Sequence, residues 1–224
     1  MSICKICFSE IPLKGINGLR KDICICPKCF KEFNPRFKEF MIDGVKGLAL
    51  FNYDETIKHY LYQLKGCYDY ELAPIFINHF VYELRLRFKG YVIVCFPSNK
   101  EDDEIRGFNH VEEIFRQLKL PYAHVLRKKV SFKQSDLSKE EREKVASKIE
   151  GYDLDSIRHK KVLLVDDVMT TGSSLKAGIS ILKCANPCKI KVLVLSKKQE
   201  NKINDNSLVK SLKKHFAFYR KFMR

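Results

Sequence analysis

Two adjacent carboxylates, Asp166 and Asp167, follow an apolar run, Val162-Leu-Leu-Val165, and lead through Val168 and Met169 into Thr170-Thr-Gly-Ser-Ser174. This order of residue types makes a clamp for a sugar phosphate. Gly172 lets backbone come close to a ligand. Backbone N–H groups at a helix start, with the hydroxyls of Thr170, Thr171, Ser173 and Ser174, surround a phosphate. The two acids at a strand end accept hydrogen bonds from vicinal ribose hydroxyls. Taken alone, the acid pair equally suits magnesium, and the Thr/Ser turn equally suits a helix cap. The strand–loop–helix arrangement makes the combination specific.

A second constellation lies at the start of the chain. Cys4-x2-Cys7 and Cys26-x2-Cys29 are two knuckles separated by residues 8–25. Each places two thiolates on one tetrahedral ion, so the four suit a structural Zn2+. The intervening chain holds Pro12, Gly15 and Gly18 and reads as a short hairpin excursion. A segment this small buries too little to be stable alone, and metal supplies the missing folding energy. A redox pair needs one CxxC at a helix start rather than two spaced knuckles. Iron–sulfur ligation is the other competitor. Cys24 competes with Cys26, but only Cys26 gives the second x2 spacing. Nine cysteines, an odd count, with no secretory leader read from the N-terminus, argue against a disulfide framework.

The elements that must position these groups alternate. Leu48 to Tyr53 reads as a strand, and Asp54 caps a helix carrying Ile57, Tyr60, Leu61 and Leu64 on one face. A second helix spans about 72–88. Tyr91 to Phe96 reads as a buried parallel strand, Val111 to Leu118 as a helix, and Tyr122 to Leu126 as a short strand. Val162 to Val165 and Ile190 to Leu195 complete the strand set. Such alternation predicts an α/β fold, a parallel sheet flanked by helices, with ligands beyond the carboxyl ends of the strands. Phe30, Phe33, Phe37, Phe40 and Met41 recur at helical spacing and suggest an apolar seam docking the knuckles onto the sheet. The expected division is a Cys4 zinc-binding module over 1–45, a sugar-phosphate domain over 46–199 and a basic, aromatic tail over 200–224.

Composition sets the outer limits. The chain has 224 residues with 45% hydrophobic and 31% charged, which excludes a disordered or collagen-like chain. No apolar run approaches the ~18–20 residues of a membrane span, and the expected location is cytoplasmic, with a peripheral place at the inner membrane surface as a further option. The net charge of +15 attracts polyanions. The tail interleaves Lys210, Lys213, Lys214, Arg220 and Lys221 with Phe216, Phe218, Tyr219 and Phe222, a pattern that suits single-stranded DNA, an anionic membrane or a solvated helix. Residues 127–160 are charge-rich and read as a lid or a solvated loop.

The Asp166–Ser174 segment resembles the phosphoribosyl-pyrophosphate signature of type I phosphoribosyltransferases. The double CxxC, Tyr62-Gln-Leu-Lys-Gly66, Arg106-Gly-Phe-Asn-His110, Gln134-Ser-Asp-Leu-Ser-Lys-Glu-Glu-Arg142 and the Asp-Asp loop, in this order, narrow the resemblance to the ComF family over about residues 4–196. The resemblance implies a type I phosphoribosyltransferase-like core with the paired acids on ribose and the Thr/Ser/Gly loop on the 5-phosphate. Mg2+ assists when pyrophosphate is attached. Pyrophosphate belongs at the loop after the 91–96 strand, Pro97, Ser98, Asn99 and Lys100. There the chain departs from its relatives: Glu101-Asp-Asp-Glu104 replaces basic residues, and His110 stands where glutamine is common. An isolated histidine of this kind more often packs or sits at the surface than acts as a base. The resemblance further implies a competence protein of natural transformation that handles single-stranded DNA at the cytosolic side, alongside other DNA-uptake or DNA-processing proteins. Two alternatives stand beside it: a phosphoribosyltransferase acting on a nucleobase, and a binding scaffold without turnover. Near Ser196, where a base contact belongs, Ser196-Lys-Lys-Gln199 offers no clear reader.

Overall fold

The structure, a computed structural model, describes residues 2–11, 23–128 and 149–199. Two short strands near the N-terminus, β1 (Ser2–Ile3) and β2 (Glu10–Ile11), pair with each other. The centre is a five-stranded sheet built from β3 (Lys38–Ile42), β4 (Val45–Asn52), β5 (Tyr91–Cys95), β8 (Lys161–Met169) and β9 (Lys189–Lys197), in the order β3-β4-β9-β8-β5. Four of them run parallel, and β3 adds antiparallel to the edge through a tight turn at Asp43-Gly44. The sheet is therefore mixed rather than wholly parallel. β4, β8 and β9 read as near-continuous apolar runs because they are covered on both faces.

The helices follow from their caps and faces. Asp54 accepts a hydrogen bond from Ile57 N at 3.1 Å and opens α2 (Glu55–Gly66), which buries Ile57, Leu61 and Leu64. The expected 72–88 helix is broken: turns of 3-10 helix occupy Tyr70–Phe76 and Asn78–Phe80, and α3 spans only Val81–Arg87. Pro74 lies inside the first of these turns. α4 (Lys100–Arg106) and α5 (His110–Phe115) follow β5, and α6 (Ser173–Lys183) follows β8.

Two core clusters lie on the two sides of the sheet. One packs Leu163, Val165, Leu193 and Leu195 against α2, α3 and α5. The other packs Val162, Leu164, Val192 and Val194 against Leu175, Ile179 and Leu182 of α6. The first cluster also contains Cys4, Ile25, Cys26, Cys29 and Phe33, so the cysteine knuckles share a core with the sheet.

Two expectations are redrawn. The aromatic run from Phe30 to Met41 is not one helical seam. α1 (Pro27–Phe33) stops at Asn34, which is left-handed at φ 44°, and the chain re-enters as strand β3. Phe33 and Phe37 still dock as expected, stacking on Tyr60 and meeting Phe80 edge-on. Tyr122 to Leu126 does not make a full strand. Tyr122 forms only an isolated bridge to Ile93, and β6 (Leu126–Lys128) pairs instead with β7 (Ile149–Gly151). Residues 129–148, and with them the Gln134–Arg142 motif, lie outside the described residues.

Candidate sugar-phosphate site and metal centre

A cavity of about 320 Å³ opens at the carboxyl ends of β5 and β8. From β8 and the turn after it come Asp166, Asp167, Thr170, Gly172 and Ser174. From the loop after β5 come Pro97, Ser98 and Asn99. These are eight of the residues singled out by motif. Gly172 has φ 78°, and a Cβ there would meet Ile42 Cδ1 at 2.8 Å and Met169 Cε at 2.9 Å, so the turn into α6 requires glycine. Thr171 and Ser173 are outside the cavity lining and bond each other, Oγ to Oγ at 3.0 Å. Lys100 starts α4 and pairs with Glu104 at 3.5 Å, outside the cavity lining.

Sequence reasoning assigned no role to Lys65, Arg106 or Asp102, which also line this space. Lys65 comes from the last turn of α2, and its ammonium pairs with Asp167 Oδ2. Arg106 anchors the arrangement. Its Nε donates to the Lys65 carbonyl at 3.2 Å, and its Nη1 to Asp103 Oδ1 at 2.9 Å. Nη1 also lies 3.1 Å from His110 Nδ1. A guanidinium has no acceptor, so Nδ1 must be the accepting nitrogen and the proton sits on Nε2. Nε2 faces Asp167 Oδ2 at 3.5 Å. His110 is therefore a buried, oriented residue against the acid pair, not a surface one.

The same network explains the Arg106–His110 motif. Gly107 ends α4 in the left-handed region at φ 81°. Asn109 caps α5 by accepting from Glu112 N at 3.0 Å, and it donates to Ser98 Oγ at 3.0 Å and to Asp103 Oδ2 at 2.9 Å. Ser98 itself donates to Asp103. One of the four acids that departed from the family pattern is thus consumed in fixing the loop. Glu104 is spent on Lys100, and Asp102 alone of the four lines the cavity.

The two adjacent aspartates are electrostatically unlike. Burial raises Asp167, but the His110 hydrogen bond and the Lys65 charge outweigh it and hold the carboxyl far below its usual range. Burial and the neighbouring Asp167 charge push Asp166 well above that range. β8 also continues past both acids, pairing Val168 with Ser196 and Met169 with Lys197, so they lie within the strand rather than at its end. Ser196 is buried and donates to the Asp167 carbonyl at 3.2 Å, which occupies its hydroxyl within the sheet.

At the other end of the chain, Cys4, Cys7, Cys26 and Cys29 place their four Sγ atoms within 4.8 Å of one another. Cys7 and Cys26 are 3.7 Å apart, close to the ~3.8 Å edge of a tetrahedron with Zn–S near 2.3 Å. Backbone N–H groups of Cys26 and Cys29 donate to Cys4 Sγ at 3.3 Å and Cys26 Sγ at 3.5 Å. Hydrogen bonds from Ser9 pull Cys7 down to about 6, whereas burial and the adjoining thiols push Cys29 up. Four mutually close sulfurs, three of them buried, fit a metal such as zinc. Cys24 stands outside this set and accepts from Asn78 Nδ2 at 3.3 Å. The tail lysines and arginine, Lys210, Lys213, Lys214, Arg220 and Lys221, lie outside the described residues.

The pattern of the phosphoribosyl transferase domain family matches residues 104–222, more than half of the chain. The chain belongs to this phosphoribosyl transferase domain family. Competence protein ComFC of Streptococcus pneumoniae is 26% identical over 177 residues, covering 76% of this chain and 79% of the relative. Competence protein ComFC of Bacillus subtilis is 27% identical over 182 residues, covering 76% and 75%. With both relatives spanning the same share of the chain, this phosphoribosyl transferase domain protein is ComFC-like, as the motifs imply. A solved hypoxanthine phosphoribosyltransferase from Staphylococcus aureus overlaps 58% of this chain and 67% of its own at 15% identity, with a TM-score of 0.35. Among the described residues, no helix is long and apolar enough to cross a membrane.

Proposed function

We propose that this protein binds phosphoribosyl pyrophosphate, or a related ribose 5-phosphate, in the cavity between β5 and β8, and serves a competence role in handling incoming single-stranded DNA. The observation that carries the reading is the convergence of the β8 turn, the Pro97–Asn99 loop and Lys65 on one space. The turn supplies hydroxyls and helix-start N–H groups for a phosphate. Asp166 supplies an acceptor for the sugar. Mg2+ would enter with the pyrophosphate group, beside Asp102. Zn2+ belongs to the four cysteines and is structural. The competence role follows the ComFC relatives by name, and the net charge of +15 suits a nucleic-acid partner on the inner side of the membrane.

The test is calorimetric titration of phosphoribosyl pyrophosphate with and without Mg2+. Changing Asp166 and Asp167 together to Ala should weaken binding by about tenfold, since it removes two hydrogen-bonding carboxyls from the sugar side of the cavity at a net of roughly 0.5–1.5 kcal/mol each. Unchanged affinity in that variant refutes the site. Transfer to a nucleobase is the second reading, favoured by the family match alone. Release of pyrophosphate on adding candidate bases would establish it.

A further inference from the structure

The sheet has a second open edge, at the amino ends of its strands. A groove of about 490 Å³ lies there, between the starts of β4 and β9 and the end of α6. Its charged lining is entirely cationic: Lys46, Lys183, Lys189 and Lys191. Strand register explains the convergence. Gly47 pairs with Val192, so Lys46 stands beside Lys191, and on the other flank Lys161 of β8 pairs with Lys189. Alternation puts Lys46, Lys189 and Lys191 on the face of the sheet that carries Leu48, Leu163 and Leu193. The Lys191 ammonium lies 5.5 Å from the ring centroid of Phe88 and 5.3 Å from that of Tyr91, so its stem covers the core at this edge. Arg87 stands close by and takes Glu39, and Lys183 takes Asp43 at 2.6 Å. Among the described residues, no ion pair holds Lys46, Lys189 or Lys191. Burial, with the charges of Arg87, Lys189 and Lys46 set against that of Glu39, holds Lys191 below its ordinary value.

We infer that this groove is the track for the phosphate backbone of single-stranded DNA, with Lys46, Lys189 and Lys191 as its phosphate contacts. The inference rests on the reading that the protein handles single-stranded DNA. Three unpaired ammonium groups in one concavity repel each other, and a polyanion relieves that repulsion while releasing its own counterions. No helix start lies among the lining residues, so the groove lacks the N–H cradle that holds a compact phosphate. Charges set out along and across two strands suit successive phosphates instead. Lys191 is half-buried, which favours a flexible strand that can bend inward and turn its bases out over a duplex, stiff on the scale of ~150 base pairs. The groove and the sugar-phosphate cavity lie at opposite edges. β9 runs nine residues between those edges, roughly 26 Å at ~3.3 Å per residue, so the two ligands bind without competing.

The experiment is fluorescence anisotropy of a labelled oligothymidylate with the full chain over a range of salt. The groove variant combines Lys46→Gln, Lys189→Gln and Lys191→Met, the last keeping an apolar stem over Phe88 and Tyr91. Its log–log salt slope should be flatter by about 2, and its affinity at about 0.1 M salt lower by at least about tenfold. It should melt no lower than the wild type, because like charges have been removed, so weaker binding is not loss of fold. A control variant removes the same charge from exposed lysines elsewhere, Lys31→Gln, Lys58→Gln and Lys119→Gln, and should stay within about twofold of the wild type. Saturating ribose 5-phosphate should leave the oligothymidylate bound. Equal losses in the two triple variants make net charge the whole cause and overturn the inference. So does a groove variant that binds as the wild type does, displacement of the strand by ribose 5-phosphate, or a matching duplex that binds as tightly as the single strand. If the wild-type protein binds no oligothymidylate at low salt, the DNA reading itself falls, and the inference with it.

Discussion

A proton on His110 Nδ1 would confront the Arg106 guanidinium at 3.1 Å, and it would do so in a buried place. Burial, followed by the opposing pulls of Asp167 and of Lys65 and Arg106, leaves His110 below its ordinary value. The unfolded chain then binds more protons than the folded one just below pH 6.5. Stability is full above that pH and declines as pH falls toward the folded value. Replacing His110 with Gln should flatten this decline by at most about 1.4 kcal/mol per pH unit, the limit for one proton. Thermal melts of both proteins between pH 5 and 7 would show it; parallel profiles would sink the assignment. Asp166, raised in the fold, has the opposite slope, which is why the difference between variants is the informative quantity. Among the cysteines the sharp contrast lies between neighbours. Cys26→Ser should abolish stoichiometric zinc, and Cys24→Ser should retain it, because only Cys26 belongs to the four-sulfur set. Elemental analysis of the purified variants decides it. Cys4, Cys7, Cys26 and Cys29 were legible from spacing alone. Lys65 was not: it lies 102 positions before Asp167, and only the packing of α2 beside β8 brings the charges together.

At the scale of elements, Asn109 is the joint between two pieces of the site. It caps α5 and bonds both Ser98 and Asp103, so one amide fixes a helix start to the loop after β5. Asn109→Ala should cost about 1–2 kcal/mol through the lost cap. It should also weaken phosphoribosyl pyrophosphate binding, since the Pro97–Asn99 loop loses its brace. A denaturant melt alongside a titration checks both effects, and a stability loss with undiminished affinity would separate the loop from the ligand. The strands β4, β5, β8 and β9 were readable because burial on both faces leaves unbroken apolar runs. β3 was not, because an edge strand exposes Lys38, Glu39 and Met41 and its Phe40 falls into register with a helical period. The break of the 72–88 helix is local, with Pro74 inside a 3-10 turn, whereas the pairing of β6 with β7 is a contact between segments distant in sequence that no local pattern reveals.

Across the whole molecule, the cysteine knuckles and the sheet share one buried cluster, from Cys4 and Phe33 to Val165 and Leu195. Metal removal by a chelator should therefore lower the melting temperature of the entire described body in a single transition. Calorimetry showing a small early transition and an undisturbed main one would make the module independent. The tail beyond residue 199 is tested separately. Deleting 207–224 should weaken oligothymidylate binding and flatten its salt dependence, by about 0.7 in log–log slope for each phosphate contact removed. It should leave phosphoribosyl pyrophosphate binding intact. Equal oligothymidylate affinity at every salt concentration excludes the tail from the DNA surface. One feature of the sheet bears on how the chain is made. β4 ends at Asn52, yet its parallel neighbour β9 begins only at Lys189. At roughly 5–20 residues per second on the ribosome, the apolar strand Leu48–Phe51 waits on the order of ten seconds with one edge unpaired. During that interval β3 can shield only the opposite edge, and the nascent chain is a natural client for a chaperone that recognises short apolar strands.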